Sequence, residues 1–166
     1  MSIPGREYTL NDTVKINLMK VFEVAFNEIA DSGKFSLGAL HKCYQKHLAR
    51  AAFCIAEGLD FHLAHQYRNE PELLLNLLCY GPIEKGRDAS HGGVDFYNMC
   101  CDGAGLAVVA DSFAALQTQV VERKRIAWKE CVEAVRSDFR NENGEQIRRL
   151  LASSPRFGHG GTCADE

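Results

Sequence analysis

A chain of 166 residues with 46% apolar and 25% charged residues has the composition of one globular domain, and a domain of this size hides roughly 70% of the surface its unfolded chain exposes. A net charge of −3 argues against a nucleic-acid binder, which shows a basic face. No apolar run reaches the roughly 18 residues of a membrane span, and Met1 to Leu10 lacks the basic-then-apolar order of a secretion signal. Seven cysteines, odd in number and irregularly spaced, read as free thiols in a reducing cytoplasm.

Asn11-Asp12-Thr13 is a candidate helix cap. Val14, Leu18, Val21, Phe22, Ala25, Phe26 and Ile29 then recur at three- and four-residue steps, and Gly33 stops the helix. Ser36 caps a second run with an apolar stripe at Leu37, Leu40, Tyr44, Leu48, Ala51, Ile55 and Leu59; its extension toward Tyr67 is open. Pro71 suits a first helical position, and Leu73 to Leu78 holds five leucines in six residues, which predicts burial on most sides. Pro82 ends or kinks that helix, and residues 86–93 are loop. Val94 to Cys101 is a short strand of weak alternation.

Gly105 to Glu122 reads as a helix with Leu106, Val109, Phe113, Leu116 and Val120 on one side. Trp128, Cys131, Val132, Val135 and Phe139 mark the next helix, and Glu145 to Ala152 a short one. Residues 153–166 form a glycine-rich connector. The fold class is mostly α with about one or two short strands.

Taken in order, several pieces resemble the pyruvate formate-lyase-like glycyl radical enzymes. They are Ile83-Glu84-Lys85-Gly86-Arg87-Asp88, Gly92-Gly93 followed by Tyr97-Asn98, and Gly105-Leu106-Ala107-Val108-Val109-Ala110-Asp111-Ser112. Asp138-Phe139 and Ser154-Pro155-Arg156-Phe157-Gly158 complete the series, and Asn11 to Leu18 resembles the family's approach to this region. The resemblance covers nearly all of 1–166 and leans toward the dehydratase-like branch. It implies that the chain is a fragment of a ten-stranded α/β barrel several hundred residues long. In that barrel one loop carries a thiyl-radical cysteine in a Gly-Cys-x-Glu setting. A second loop carries the radical glycine in an Arg-Val-x-Gly-Tyr setting. An activating enzyme installs the radical with S-adenosylmethionine and an iron–sulfur cluster.

Neither loop motif is spelled in these 166 residues. The expectation is therefore a segment lying between them, inactive alone, with no catalytic residue and no cofactor of its own. Its partners are the remainder of the barrel, the activating enzyme and a small polar substrate. The resemblance places Tyr97 and Asn98 at the end of a barrel strand near that substrate, with Asp95 and, more weakly, His91 on the same rim. A phenol hydroxyl can donate or accept a hydrogen bond within an apolar pocket.

Three look-alikes are set aside. Cys131-Val132-Glu133 has the Cys-x-Glu spelling, yet positions two apart on a helix point about 200° from each other. Cys131 belongs to the apolar stripe and Glu133 to the opposite face. Cys100-Cys101 reads as a buried strand end beside Asp102, which opposes thiolate formation. Phe157 to Thr162 is glycine-rich without the radical motif and reads as a flexible connector. His62 and His65, three apart, fall short of the four ligands of a closed zinc site. His41 and His47 show no ligand spacing, so no metal is expected. Asp111-Ser112 reads as a cap or packing pair for the following helix. A competing reading makes the chain a non-catalytic helical module that binds a partner through the leucine-rich 73–78 surface.

Overall fold

The computed structural model describes residues 6–9 and 12–165. They form mostly helix with two short parallel strands, as the hydrophobic periodicity requires. The chain gathers into two compact units, Met1–Ile16 with Arg50–Asp102 and Asn17–Ala49 with Gly103–Glu166.

In the first unit, β1 (Asp12–Asn17) pairs with β2 (Met99–Ala104). The expected helix cap at residues 11–13 is corrected here. Asn11 lies outside the described residues, and Asp12 and Thr13 are in β1. The cap is instead Asn17, whose side chain accepts from the Lys20 N–H. Val14, Lys15 and Ile16 precede it as strand, where β-branched residues fit the pleat. Upstream of β2, Tyr8 and Phe96 make a parallel bridge, and the Thr9 N–H donates to the Phe96 carbonyl at 3.1 Å. The expected strand at 94–101 is thus shifted toward Ala104, and Tyr97 and Asn98 lie just before the strand rather than at its end.

α2 (Leu37–Asn69) contributes residues 50–69 to this unit. It runs unbroken through Gly58, which closes the question left open at Tyr67. α3 (Leu73–Leu78) follows with Glu72 at its N-cap, so Pro71 lies ahead of the helix and not at its first position. Burial of its leucines is overturned. Leu73, Leu74, Leu77 and Leu78 are 66–71% exposed, because no described element covers them. Pro82 does not end α3, which stops at Leu78; it opens α4 (Pro82–Lys85), where its missing N–H costs nothing. Residues 86–93 are largely loop, with a single 3-10 turn at Ala89–His91.

In the second unit, α1 (Leu18–Ser32) buries Leu18, Phe22, Ala25, Phe26 and Ile29 and ends at Gly33, whose φ of 66° accepts the left-handed turn. α5 (Leu106–Leu116) packs on α1. The stripe expected for 105–122 is present, but Leu106 is exposed and the helix widens into a π segment at Gln117–Glu122. α6 (Trp128–Arg136) ends before Phe139, which takes a left-handed φ of 58°. α7 is Gly144–Ala152. An aromatic cluster fills the unit. Phe22 meets Phe113 edge-on at 5.0 Å, Phe26 meets Trp128 at 5.0 Å, and Phe35 stacks on Trp128 at 4.0 Å. Such pairs add to the gain from burial.

Candidate functional site

The first unit carries a polar cluster around Tyr97. Asp88, just after α4, is its anchor. One carboxylate oxygen accepts from the Ser90 N–H at 2.9 Å and the Ser90 hydroxyl at 2.6 Å. The other accepts from the Asn76 amide at 2.7 Å and the Glu72 N–H at 3.2 Å. Burial pushes the Asp88 carboxyl up, but hydrogen bonds from Ser90, Asn76 and the Ser90 and Glu72 backbones outweigh it and hold it below its usual value. Asn76 closes the loop by accepting from the Ala89 N–H at 2.8 Å. Both glycines of the turn serve this geometry. Gly92 has a φ of 82°, and a Cβ on Gly93 would lie 2.4 Å from the Arg87 carbonyl oxygen.

With Glu72 fixed, its carboxylate meets Gln66, a 5% exposed side chain on α2. The Gln66 amide donates to Glu72 Oε1 at 3.1 Å and to the Tyr97 hydroxyl at 3.3 Å. Its own carbonyl oxygen is buried with no hydrogen-bond partner among the described residues. An unsatisfied buried oxygen costs free energy, and here it borders a cleft of about 500 Å³ lined by His62, Gln66, Glu70 and residues 71–75. The cleft offers the Gln66 amide and the Glu72 carboxylate to a small polar molecule, and Gln66 links it to the Tyr97 hydroxyl, which is not part of its lining.

The other expected rim residues take different places. Asn98 binds the chain at Thr9 twice, through its N–H to the Thr9 hydroxyl and its side-chain amide to the Thr9 carbonyl, both at 2.7 Å. Asp95 pairs with Arg6 at 3.1 Å and faces Lys85 at 3.9 Å; Lys85 also binds Glu7. His91 is exposed and stacks on Tyr67 at 3.8 Å. Tyr97 is therefore joined by Gln66 and Glu72, which sequence reasoning missed. Gln66 lies 31 positions away, and a lone glutamine on a helix carries no motif.

The second unit has an apolar groove of about 650 Å³ between α1, α5, α6 and the segment after α7. Asp111 stands on its rim in mid-helix, so the expected capping role is corrected. Its carboxylate accepts from the Phe157 N–H at 2.8 Å and faces Arg156 at 3.7 Å. Ser112 bonds back to the Val108 carbonyl at 2.7 Å. The two motifs Asp111-Ser112 and Pro155-Arg156-Phe157-Gly158, far apart in sequence, are thus clasped together. The connector is also ordered by a clasp. Asp165 accepts from the Gly158 N–H at 2.8 Å and from the Thr162 hydroxyl at 2.8 Å.

Cys131 is 1% exposed, and burial pushes its thiol up to about 11. Glu133 is exposed on the opposite face, which agrees with the helical-angle argument. Cys101 is exposed and Cys100 half-buried, so the expected buried strand end is corrected: β2 continues past both cysteines to Ala104. Cys43, Cys54, Cys100, Cys101, Cys131 and Cys163 are free thiols. No helix among the described residues is long and apolar enough to cross a membrane.

A glycine-pinned turn feeding Tyr97 into a strand, followed by a glycine-opened helix clasped to the Pro-Arg-Phe-Gly segment, defines a piece of a glycyl radical enzyme fold. The sequence profile of the pyruvate formate lyase-like family matches residues 1–166, and the chain belongs to that family. Trans-4-hydroxy-L-proline dehydratase of Clostridioides difficile is 27% identical over 100 residues, covering 60% of this chain and 12% of that protein. The crystal structure of that organism's hydroxyproline dehydratase with trans-4-hydroxy-L-proline bound superimposes with a TM-score of 0.79 at 20% identity, over 96% of this chain and 22% of the other. A glycyl radical enzyme from Archaeoglobus fulgidus superimposes with a TM-score of 0.73 at 25% identity, over 91% of this chain and 20% of the other. The chain thus spans about an eighth of the curated dehydratase it matches.

Proposed function

We propose that these residues are a wall segment of a glycyl radical lyase or dehydratase that acts on a small polar substrate. In this reading a thiyl radical, carried elsewhere in the barrel, abstracts hydrogen from the substrate, and nearby polar groups assist loss of the leaving group. Tyr97 faces the substrate, with Gln66 and Glu72 setting its hydroxyl. Asn98 and Asp95 hold the strand that presents it. The radical glycine, the catalytic cysteine and the activating enzyme are contributions of other residues and of a partner. The observation that carries the reading is the family match along 1–166, combined with the absence of Gly-Cys-x-Glu and Arg-Val-x-Gly-Tyr from the same residues.

The test is reconstitution. The chain is mixed anaerobically with an activating enzyme and S-adenosylmethionine, with and without the complementary remainder of a related barrel. A glycyl radical signal by electron paramagnetic resonance and turnover are expected only when the remainder is present. Turnover by the chain alone overturns the proposal.

One observation favours a second reading, a helical interaction module: the four exposed leucines of α3. Contiguous exposed apolar surface marks an interface. In the wall-segment reading the same leucines meet the rest of the barrel. A Leu74→Glu, Leu77→Glu variant that still supports reconstituted turnover would favour the module.

A further inference from the structure

Glu28, Cys43 and His47 form a cluster that the chemistry above does not use. Cys43 and His47 are one turn apart on α2, so both side chains leave the same face. Glu28 comes from the facing helix α1. Its carboxylate, the Cys43 sulfur and a His47 ring nitrogen all lie within 4.8 Å of one another. No local pattern signals this cluster, because Glu28 belongs to a different helix and a Cys-x-x-x-His spacing alone supplies only two ligands.

We propose that Glu28, Cys43 and His47 bind a divalent transition-metal ion of the zinc class. A thiolate, an imidazole and a carboxylate are zinc's three ligand types, and three protein ligands leave its fourth position to water. The thiolate and imidazole donors select against magnesium and calcium, which take oxygen ligands.

His47 Nε2 and Glu28 Oε2 stand 2.7 Å apart and share a hydrogen. Two such ligand atoms on a tetrahedral zinc stand about 3.3 Å apart, so the pair opens by a fraction of an ångström as the ion replaces the proton. The shared proton and the Cys43 thiol proton leave to solvent. Lys46 binds the other Glu28 oxygen at 3.1 Å. It fixes the carboxylate from behind and leaves Oε2 as the ligand atom. Hydrogen bonds from His47 and then Lys46 lower the Glu28 carboxyl to about 2, so it is ionised near neutrality. Burial, reinforced by the Glu28 charge, holds the Cys43 thiol above its usual range.

The experiment titrates the full chain with zinc against a chromophoric chelator, and with cobalt as a spectroscopic substitute. One tight equivalent per chain is expected, with a thiolate-to-cobalt charge-transfer band in the near ultraviolet. Cys43→Ser, His47→Gln and Glu28→Gln should each weaken binding by at least about 100-fold, the upper range seen even for outer-shell changes. Cys54→Ser and Cys101→Ser, at exposed thiols, should leave it unchanged. Circular dichroism of the metal-free variants checks folding. If Cys43→Ser fails to fold, His47→Gln and Glu28→Gln decide the matter. No tight equivalent, or binding that survives both of those substitutions unchanged, overturns the proposal.

Discussion

Asp88→Asn probes the anchor of the Tyr97 cluster. The carboxylate accepts four hydrogen bonds, two at each oxygen. Asparagine keeps one carbonyl oxygen. If that oxygen serves Ser90, the new amide points its own hydrogens at the Asn76 amide and the Glu72 N–H. Two hydrogen bonds to a charged group are then lost, each worth about 1.5–3 kcal/mol when buried. Asp88 is half-buried, so about half of that sum, roughly 1.5–3 kcal/mol, is the expected loss.

The pH dependence has a definite sign. The folded carboxyl is held below its usual value. Its contribution is therefore complete above the unfolded value of about 3.9 and is lost as pH falls through the lower folded value. The gap between wild type and Asp88→Asn should be widest near neutrality and shrink in acid. Urea unfolding followed by circular dichroism, at about pH 7 and then in acid, measures it. A neutral-pH gap below about 0.5 kcal/mol, or a gap that does not narrow on acidification, would show that Asp88 does not anchor the cluster as a carboxylate.

Gly93→Ala forces a Cβ to within 2.4 Å of the Arg87 carbonyl oxygen and 2.7 Å of the Asp88 carbonyl oxygen, and backbone cannot step aside as a side chain can. A loss of at least about 2 kcal/mol in the urea assay is expected. Gly58→Ala in α2, where nothing lies within 4 Å, should instead gain about 0.5–1 kcal/mol. Maleimide should label Cys54 and Cys101 rapidly and Cys131 only after unfolding, since Cys131 is buried and its thiol is raised to about 11; peptide mapping of the labelled chain reads this directly. Tyr97→Phe should lower turnover of a reconstituted barrel by roughly tenfold, the worth of one hydrogen bond of about 1.4 kcal/mol, while leaving the urea midpoint nearly in place. Unchanged turnover removes Tyr97 from the substrate-facing set.

Much of the helical skeleton was legible from periodicity. The stripe from Leu18 to Ile29 is buried, Gly33 ends α1, and α7 falls within one residue of its expected start. Cys131 and Glu133 diverge as helical geometry demands. The errors share one cause. Residues 12–17 became strand because pairing with β2 supplied hydrogen bonds that local capping preference does not see. The leucines of α3 read as core by composition, yet composition does not specify a partner, and no described element supplies one.

The mostly helical class and, through the order of the glycine-bearing motifs, the family can be read from the linear chain. Both are properties of local spacing, which a linear chain records. Which polar groups meet depends on the packing of distant segments. Gln66 reaches Tyr97, Asp111 holds Phe157, and Glu28 meets His47 because separate segments pack against one another. Those encounters depend on helix rotation and chain return, and no short window of residues encodes them.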